Sequence, residues 1–231
     1  MVYRIIETLI QGLDEAIGGG FTRPGLIYIV GHPGTGKTTL AVHYAYNRAI
    51  HFGEKTKYFL LTEPLSLFID RIRLLRFERL DEFLEKYLSI EAALPLGRYE
   101  DIIKTAEHVL EDIASGGYQN LVIDSLSSLI RGLNPGEVAG VLNMLFNAIS
   151  ERDLTTIIIG EIPMFTEIQL PGVEEFMADV VIRLDYVDKS GEGLVIRLTP
   201  IKMRLGAIDR KYYEAAIDVD GFKIIGPLIQ K

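Results

Sequence analysis

The residues Gly31, His32, Pro33, Gly34, Thr35, Gly36, Lys37 and Thr38 fit the pattern G-x-x-x-x-G-K-[ST] at every fixed position, and a further threonine, Thr39, follows. At ordinary residue usage a chain of this size meets the pattern by chance about 1% of the time, so the match is informative. Its chemistry is the holding of a nucleoside triphosphate. Glycines let the backbone curl until successive N–H groups face phosphate oxygens, and the start of the following helix adds the positive end of its dipole. Lys37 supplies a charge for the β- and γ-phosphates, and the Thr38 hydroxyl can ligate Mg2+.

Such a cation also needs a carboxylate, usually an Asp that ends a neighbouring apolar strand. "NLVIDSLSSL" offers Asp124 in that setting, so Thr38 and Asp124 are the expected metal pair. Hydrolysis further needs a group that orients and deprotonates water. Glu63, closing "YFLLTE", is the candidate base. Thr62-Glu63-Pro64 reads equally as the start of a helix, where proline is favoured. Glu161, at the end of "TTIIIGE", is the competitor.

These residues need elements to hold them. Apolar β-type runs at 26–30, 58–61, 121–124 and 155–160 alternate with helical patterns after Lys37 and at 64–79, 81–87, 98–114 and 134–151. Near-continuous apolar strands separated by helices predict an α/β fold with a mainly parallel sheet covered on both faces. After about residue 178 the style changes to strands joined by short turns, "DVVIRLDYVD", "GLVIRLTPIK" and "YYEAAIDVDGFKII", with Ser190-Gly191 and Asp220-Gly221 as turn signals. An antiparallel C-terminal extension of the sheet is expected. No linker or repeat interrupts residues 1–231, so one domain is expected.

Composition narrows the class. The chain has 231 residues, 48% of them hydrophobic, and no apolar run long enough to cross a membrane. The N-terminal segment lacks the pattern of a secretory signal, and a cytoplasmic protein is expected. No cysteine is present, which excludes disulfides, thiolate zinc sites and cysteine nucleophiles. The four histidines have no metal-ligand spacing. A net charge of −8 argues against a large nucleic-acid footprint independent of sequence.

With these pieces in order, the chain resembles the RecA-like P-loop ATPases, and within them the single-domain KaiC-like proteins and archaeal RadA paralogues. The resemblance rests on "GLDEAIGGGFTRPGLIYIVGHPGTGKTTLA", "LLTEP", "LVIDSLSSL", "GVEEFMADVVIRL" and "IKMR". It implies a RecA-like core with ATP and Mg2+ between neighbouring subunits of a homo-oligomeric ring, often a hexamer. It also implies that the lysine and arginine of the last segment, here Lys202 and Arg204, reach a neighbour's γ-phosphate. That role agrees with the chemistry, since a cation supplied in trans stabilises charge on a transferring phosphoryl group. The preference for ATP over GTP rests on the same resemblance.

Two departures stand out. The family commonly has two adjacent glutamates where this chain has Glu63-Pro64, and a glycine directly after the arginine where Leu205 precedes Gly206. The first suggests slow hydrolysis, and keeps open an ATP-binding assembly module that signals its bound state to a protein partner. RadA paralogues raise a third reading, an ATP-dependent single-stranded DNA binder in repair. The stretches after Asp124 and Gly160 that would face DNA hold Arg131 on one side and Glu161, Glu167, Glu174, Glu175 and Asp179 on the other, a balance that disfavours phosphates. Arg73, Arg76 and Arg79, with Arg71 beside them, recur at a spacing that shares a helix face. A solvated face balanced by Asp70, Glu78, Asp81 and Glu82 is the simpler reading of this stripe.

Overall fold

The apolar runs become strands because each residue type in them packs on both sides. In the computed structural model, which describes residues 2–92, 99–130, 132–162, 177–189, 191, 193–205 and 211–228, alternate residues of the central parallel strands enter two separate cores. Ile27, Ile29, Tyr58, Leu60, Val122, Ile157 and Ile159 belong to one core; Leu26, Tyr28, Val30, Phe59, Leu121, Ile123 and Ile158 belong to the other. Strand side chains alternate between faces, so a strand covered on both sides must be apolar throughout.

A short antiparallel pair, β1 (Arg4–Ile6) and β2 (Phe21–Arg23), stands apart at the N-terminus. The main sheet is built around β3 (Gly25–Gly31). On one side of it lie β7 (Thr155–Glu161), β6 (Asn120–Asp124), β4 (Thr56–Leu60) and β5 (Leu88–Ala92), all parallel. On the other side β8 (Val180–Asp188) is parallel to β3, and β9 (Leu194–Met203), β10 (Tyr213–Asp218) and β11 (Gly221–Pro227) continue as an antiparallel meander. The order is β11-β10-β9-β8-β3-β7-β6-β4-β5, a mainly parallel sheet with the expected antiparallel C-terminal extension.

The helices follow their signals with informative exceptions. The four-residue α1 (Leu13–Ala16) precedes the triple glycine Gly18–Gly20. All three glycines have positive φ, and a Cβ on Gly20 would strike the Ile6 carbonyl, so this turn needs glycine for space as well as conformation. Helix α2 (Lys37–Phe52) fills the first core, and α5 (Tyr99–Gly116) and α7 (Pro135–Ser150) the second. Asn134 and Glu137 form a capping box that starts α7.

The expected helix over 64–79 is only α3 (Leu65–Ile72). The backbone N–H of Arg76 instead donates to the Val219 carbonyl of the β10–β11 turn, and Arg79 adopts a left-handed conformation. Arg73, Arg76 and Arg79 therefore share no helix face. The pattern over 81–87 divides into α4 (Leu80–Glu82) and a π-helical turn at Phe83–Tyr87, and it leads into β5, which the sequence did not announce. The expected turn residue Ser190, the start of the expected helix at Arg98, and the segment "GVEEF" lie outside the described residues.

Candidate functional site

The phosphate-loop pattern sits where β3 runs out and α2 begins. Gly31 pairs with both Leu184 and Glu161, and a Cβ there would meet the Leu184 carbonyl at 2.1 Å, so this glycine lets two strands close on the loop. Gly36 has φ +87° and caps α2, and Ile217 of β10 packs against it at 2.3 Å from where a Cβ would stand. The Thr35 hydroxyl turns inward and donates to the His32 carbonyl at 2.8 Å. Lys37, 7% exposed, donates to the carbonyls of Gly31 at 2.9 Å and His32 at 2.8 Å. Burial lowers the Lys37 pKa, against the opposing pull of the Glu161 and Asp124 charges.

A cleft of about 390 Å3 opens over this loop. Pro33, Gly34, Gly36, Lys37, Thr38 and Thr39 line it, and Thr62, Glu63, Arg71, Asp124, Glu161 and Ile217 complete its walls. Gly31, His32 and Thr35 stay behind that surface and shape the loop from within. The two residues expected to ligate a metal lie together: the Thr38 hydroxyl donates to Asp124 Oδ2 at 2.7 Å. The fully buried Tyr58 also donates to that oxygen, at 2.8 Å. Burial raises the pKa of Asp124, which the hydrogen bonds from Thr38 and Tyr58 and the charge of Lys37 counteract. Burial and the neighbouring carboxylate together push the Tyr58 phenol well above its ordinary value.

A hydroxyl and a carboxylate are hard oxygen donors, which suits Mg2+. Among the described residues no group of three or more His, Cys, Asp or Glu could cage a metal. A cation here would take its remaining ligands from water and phosphate, as Mg2+ does beside nucleotides. Thr38 and Asp124 are the residues that would hold it.

Both candidate bases line the cleft. The Glu63 carboxylate is paired with the Arg71 guanidinium, from the last turn of α3. Glu161 is exposed, and its backbone N–H is held by Ser127 Oγ at 2.9 Å. Neither Arg71 nor Tyr58 was singled out for this site by type and spacing alone. Tyr58 reaches Asp124 because Leu60 pairs with Asp124 across β4 and β6, which puts Tyr58 on the diagonal of the same face.

Lys202 and Arg204 lie elsewhere. Met203 pairs with Val180, which pairs with Ile27, and Lys202 pairs with Val181, which pairs with Tyr28, so both lie below the Gly31 end of β3. Four residues of strand, about 13 Å at the usual rise, separate Ile27 from Gly31. Arg204 pairs with Asp179 at 3.2 Å, and Asp179 also accepts from the Leu26 backbone N–H at 2.9 Å. Burial lowers the Lys202 pKa, the like charge of Arg204 lowers it further, and Asp179 opposes both. Gly206, which follows Leu205, is outside the described residues, as are Arg131, Glu167, Glu174 and Glu175 of the expected DNA-facing stretches. Three arginines of the stripe are engaged with acids: Arg71 with Glu63, Arg73 with Asp81 at 3.3 Å, and Arg79 with Glu82 at 2.6 Å.

No helix among the described residues is long and apolar enough to cross a membrane. The profile of the KaiC ATPase family matches residues 6–228. The chain is 26% identical over 228 residues to the circadian clock protein KaiC2 of Synechocystis, covering 94% of this chain and 39% of that protein. It is 28% identical to the DNA repair protein RadA of Chlamydia trachomatis, covering 87% and 41%. The chain thus spans about two-fifths of these two relatives. A UPF0273 protein of Aeropyrum pernix is 29% identical, covering 86% of this chain and 84% of its own. The crystal structure of a KaiC-like protein from Pyrococcus horikoshii superposes with a TM-score of 0.82 at 25% identity, covering 96% of this chain and 99% of that one. A RecA-like core whose phosphate loop faces Asp124, matched to a family profile over nearly its whole length, belongs to the KaiC family of nucleotide-binding ATPases.

Proposed function

We propose that this chain is a Mg2+-dependent ATPase that works as a homo-oligomer, with each nucleotide shared between two subunits. One observation carries the reading: Lys37, Thr38, Asp124 and Glu63 line one cleft, with Thr38 and Asp124 hydrogen-bonded at 2.7 Å. Backbone N–H groups of the loop and the Lys37 ammonium hold the β- and γ-phosphates. Thr38 and Asp124 hold Mg2+, which when bound offsets phosphate charge. That offset matters here, because the cleft walls carry Glu63, Asp124 and Glu161 against only Lys37 and Arg71. Glu63 accepts the proton of the attacking water. Lys202 and Arg204, too far from their own loop, act on the site of the next subunit.

The test is phosphate release from ATP with and without Mg2+, at protein concentrations above and below assembly. Release that needs Mg2+, vanishes in Lys37→Ala and falls per subunit on dilution is expected. Undiminished turnover in a demonstrated monomer would overturn the shared site.

The Glu63–Arg71 pair and the single acid at Glu63-Pro64 favour a second reading, an assembly module that binds ATP and barely cleaves it, passing its bound state to a protein partner. Identical assembly with ATP and a non-hydrolysable analogue, with phosphate release at background, is the result that selects it.

A further inference from the structure

Glu63 is the proposed acceptor of the water proton and lines the phosphate cleft, yet its carboxylate is engaged by Arg71. The two side chains are unequal. Glu63 is 16% exposed and comes from the short connection between β4 and α3, whereas Arg71 is 63% exposed and reaches over from the far end of α3. An exposed guanidinium on a long, rotamer-rich stem can change partners at low cost, while a largely covered carboxylate beside a proline has less room to move.

Arg71 also lies at the meeting point of two spaces. It lines the phosphate cleft with Lys37, Thr38 and Asp124, and it lines an adjoining pocket of about 110 Å3 with Val42, Phe68 and Leu75. Its charge is close enough to the metal pair to be felt at Tyr58. A γ-phosphate entering the cleft presents three oxygens and more negative charge than a carboxylate. It is therefore a competing, bidentate partner for the same guanidinium.

We infer that Arg71 is a nucleotide-operated restraint on Glu63: it pairs with the carboxylate when no γ-phosphate is present and transfers to the γ-phosphate when ATP binds, freeing Glu63 to receive the water proton. This rests on the nucleotide reading given above and adds a residue to it. The exchange ties base release to the presence of the third phosphate. ADP, lacking that group, leaves Arg71 on Glu63, so the pair also makes the site selective for triphosphate. In the transition state the guanidinium then faces the equatorial oxygens, where charge builds.

The restraint and the ligand share one cation, so they must be thermodynamically linked. Binding of ADP and of a non-hydrolysable ATP analogue to the full chain with Mg2+ is measured for wild type, Arg71→Ala, Arg71→Lys, Glu63→Gln and the Glu63→Gln/Arg71→Ala double variant. Melting curves confirm folding. Arg71→Ala is expected to weaken the analogue about tenfold, the scale of one charge-assisted phosphate contact, with ADP changed less than about twofold. Arg71→Lys recovers part of the loss.

Glu63→Gln is expected to tighten the analogue several-fold by releasing Arg71, and to lose that gain in the Arg71→Ala background. If Arg71→Ala leaves the analogue-to-ADP ratio unchanged, or if Glu63→Gln tightens binding equally with and without Arg71, the restraint is wrong and only simple charge repulsion remains. Wild type that binds neither nucleotide overturns the nucleotide reading and this inference together. Binding with the expected coupling but no phosphate release supports the inference and fails the enzyme.

Discussion

At the residue scale the site turns on Asp124, a carboxylate that the fold itself buries. That Lys37, Thr38 and Asp124 meet in one cleft was legible, because the motif's spacing and its place between strand and helix leave few alternatives. Tyr58 was not, because its role depends on the register of β4 against β6, which pairs Leu60 with Asp124. Removing its hydroxyl deprives a buried carboxylate of one of its donors, at a cost on the order of 1–3 kcal/mol. Tyr58→Phe is expected to lower stability by that amount in a denaturant titration and to weaken the response to Mg2+.

The pH dependence of Asp124 has the less common sign. Its pKa is raised on folding, chiefly by burial, so ionisation burdens the native state. That burden is complete above the folded pKa and disappears as pH falls through it toward the unfolded value of 3.8. Asp124→Asn should therefore raise the melting temperature of metal-free protein at neutral pH, with the gain shrinking as the solution is acidified. The same variant should lose Mg2+-dependent nucleotide binding, a trade of function against stability. A melting temperature lowered equally at neutral and acidic pH would remove burial as the cause.

At the element scale, stability is anchored at the end of the sheet away from the cleft. Arg23 of β2 donates to both carboxylate oxygens of Glu54 at 2.7 Å, and Arg48 of α2 donates to them at 2.6 and 3.1 Å. Asn120 of β6 adds a bond at 3.1 Å and is itself held by Tyr44 and Arg23. These groups draw β2, α2 and β6 together, a long-range network that no local pattern announces. The same limit applies to β5 and the β1–β2 pair, whose strands are short and only partly apolar. It also explains the short α3, where the hydrogen bond from Arg76 to Val219 overrides a helical pattern.

The sign for Glu54 is the usual one. Burial alone would raise its pKa, but the hydrogen bonds from Arg23 and Arg48 hold it at about 2, below the ordinary 4.5. Its contribution is fully present above the unfolded pKa and is lost as pH falls from there through the folded one. The shift corresponds to about 3 kcal/mol, an order-of-magnitude figure. Glu54→Gln should cost a similar amount at neutral pH, since it leaves two buried guanidinium groups without their counter-charge. It should also flatten the fall in stability across that acid range. An unchanged acid limb in a pH-resolved denaturant series would assign the fall to other carboxylates.

At the scale of the whole molecule, the sheet separates the two sets of charged residues that the chemistry would combine. Gly31 to Thr39, Glu63 and Asp124 gather at the C-terminal end of the parallel strands, where open α/β sheets bind ligands. Lys202 is level with the middle of β3 and Arg204 lies further from Gly31, because β9 runs antiparallel to β8 and carries its last residues away from the cleft. The antiparallel style of this segment was legible from its turns; that it would carry two cations away from their own cleft was a matter of strand direction. On the proposed reading they would complete a neighbour in a head-to-tail ring, where every subunit presents both ends; otherwise their role is structural and within one chain. Mixing decides between these roles. Lys37→Ala lacks a working loop, and Lys202→Ala/Arg204→Ala lacks the donated cations, so each alone is expected to be inactive. In equal mixture at assembly concentration, an interface with an intact loop on one side and intact cations on the other arises about one time in four by random insertion into a heterologous ring. Phosphate release should return to about a quarter of the wild-type rate by that count, and it should disappear again on dilution. A mixture as silent as its components would confine Lys202 and Arg204 to their own subunit, where Arg204 pairs with Asp179 across the foot of β8.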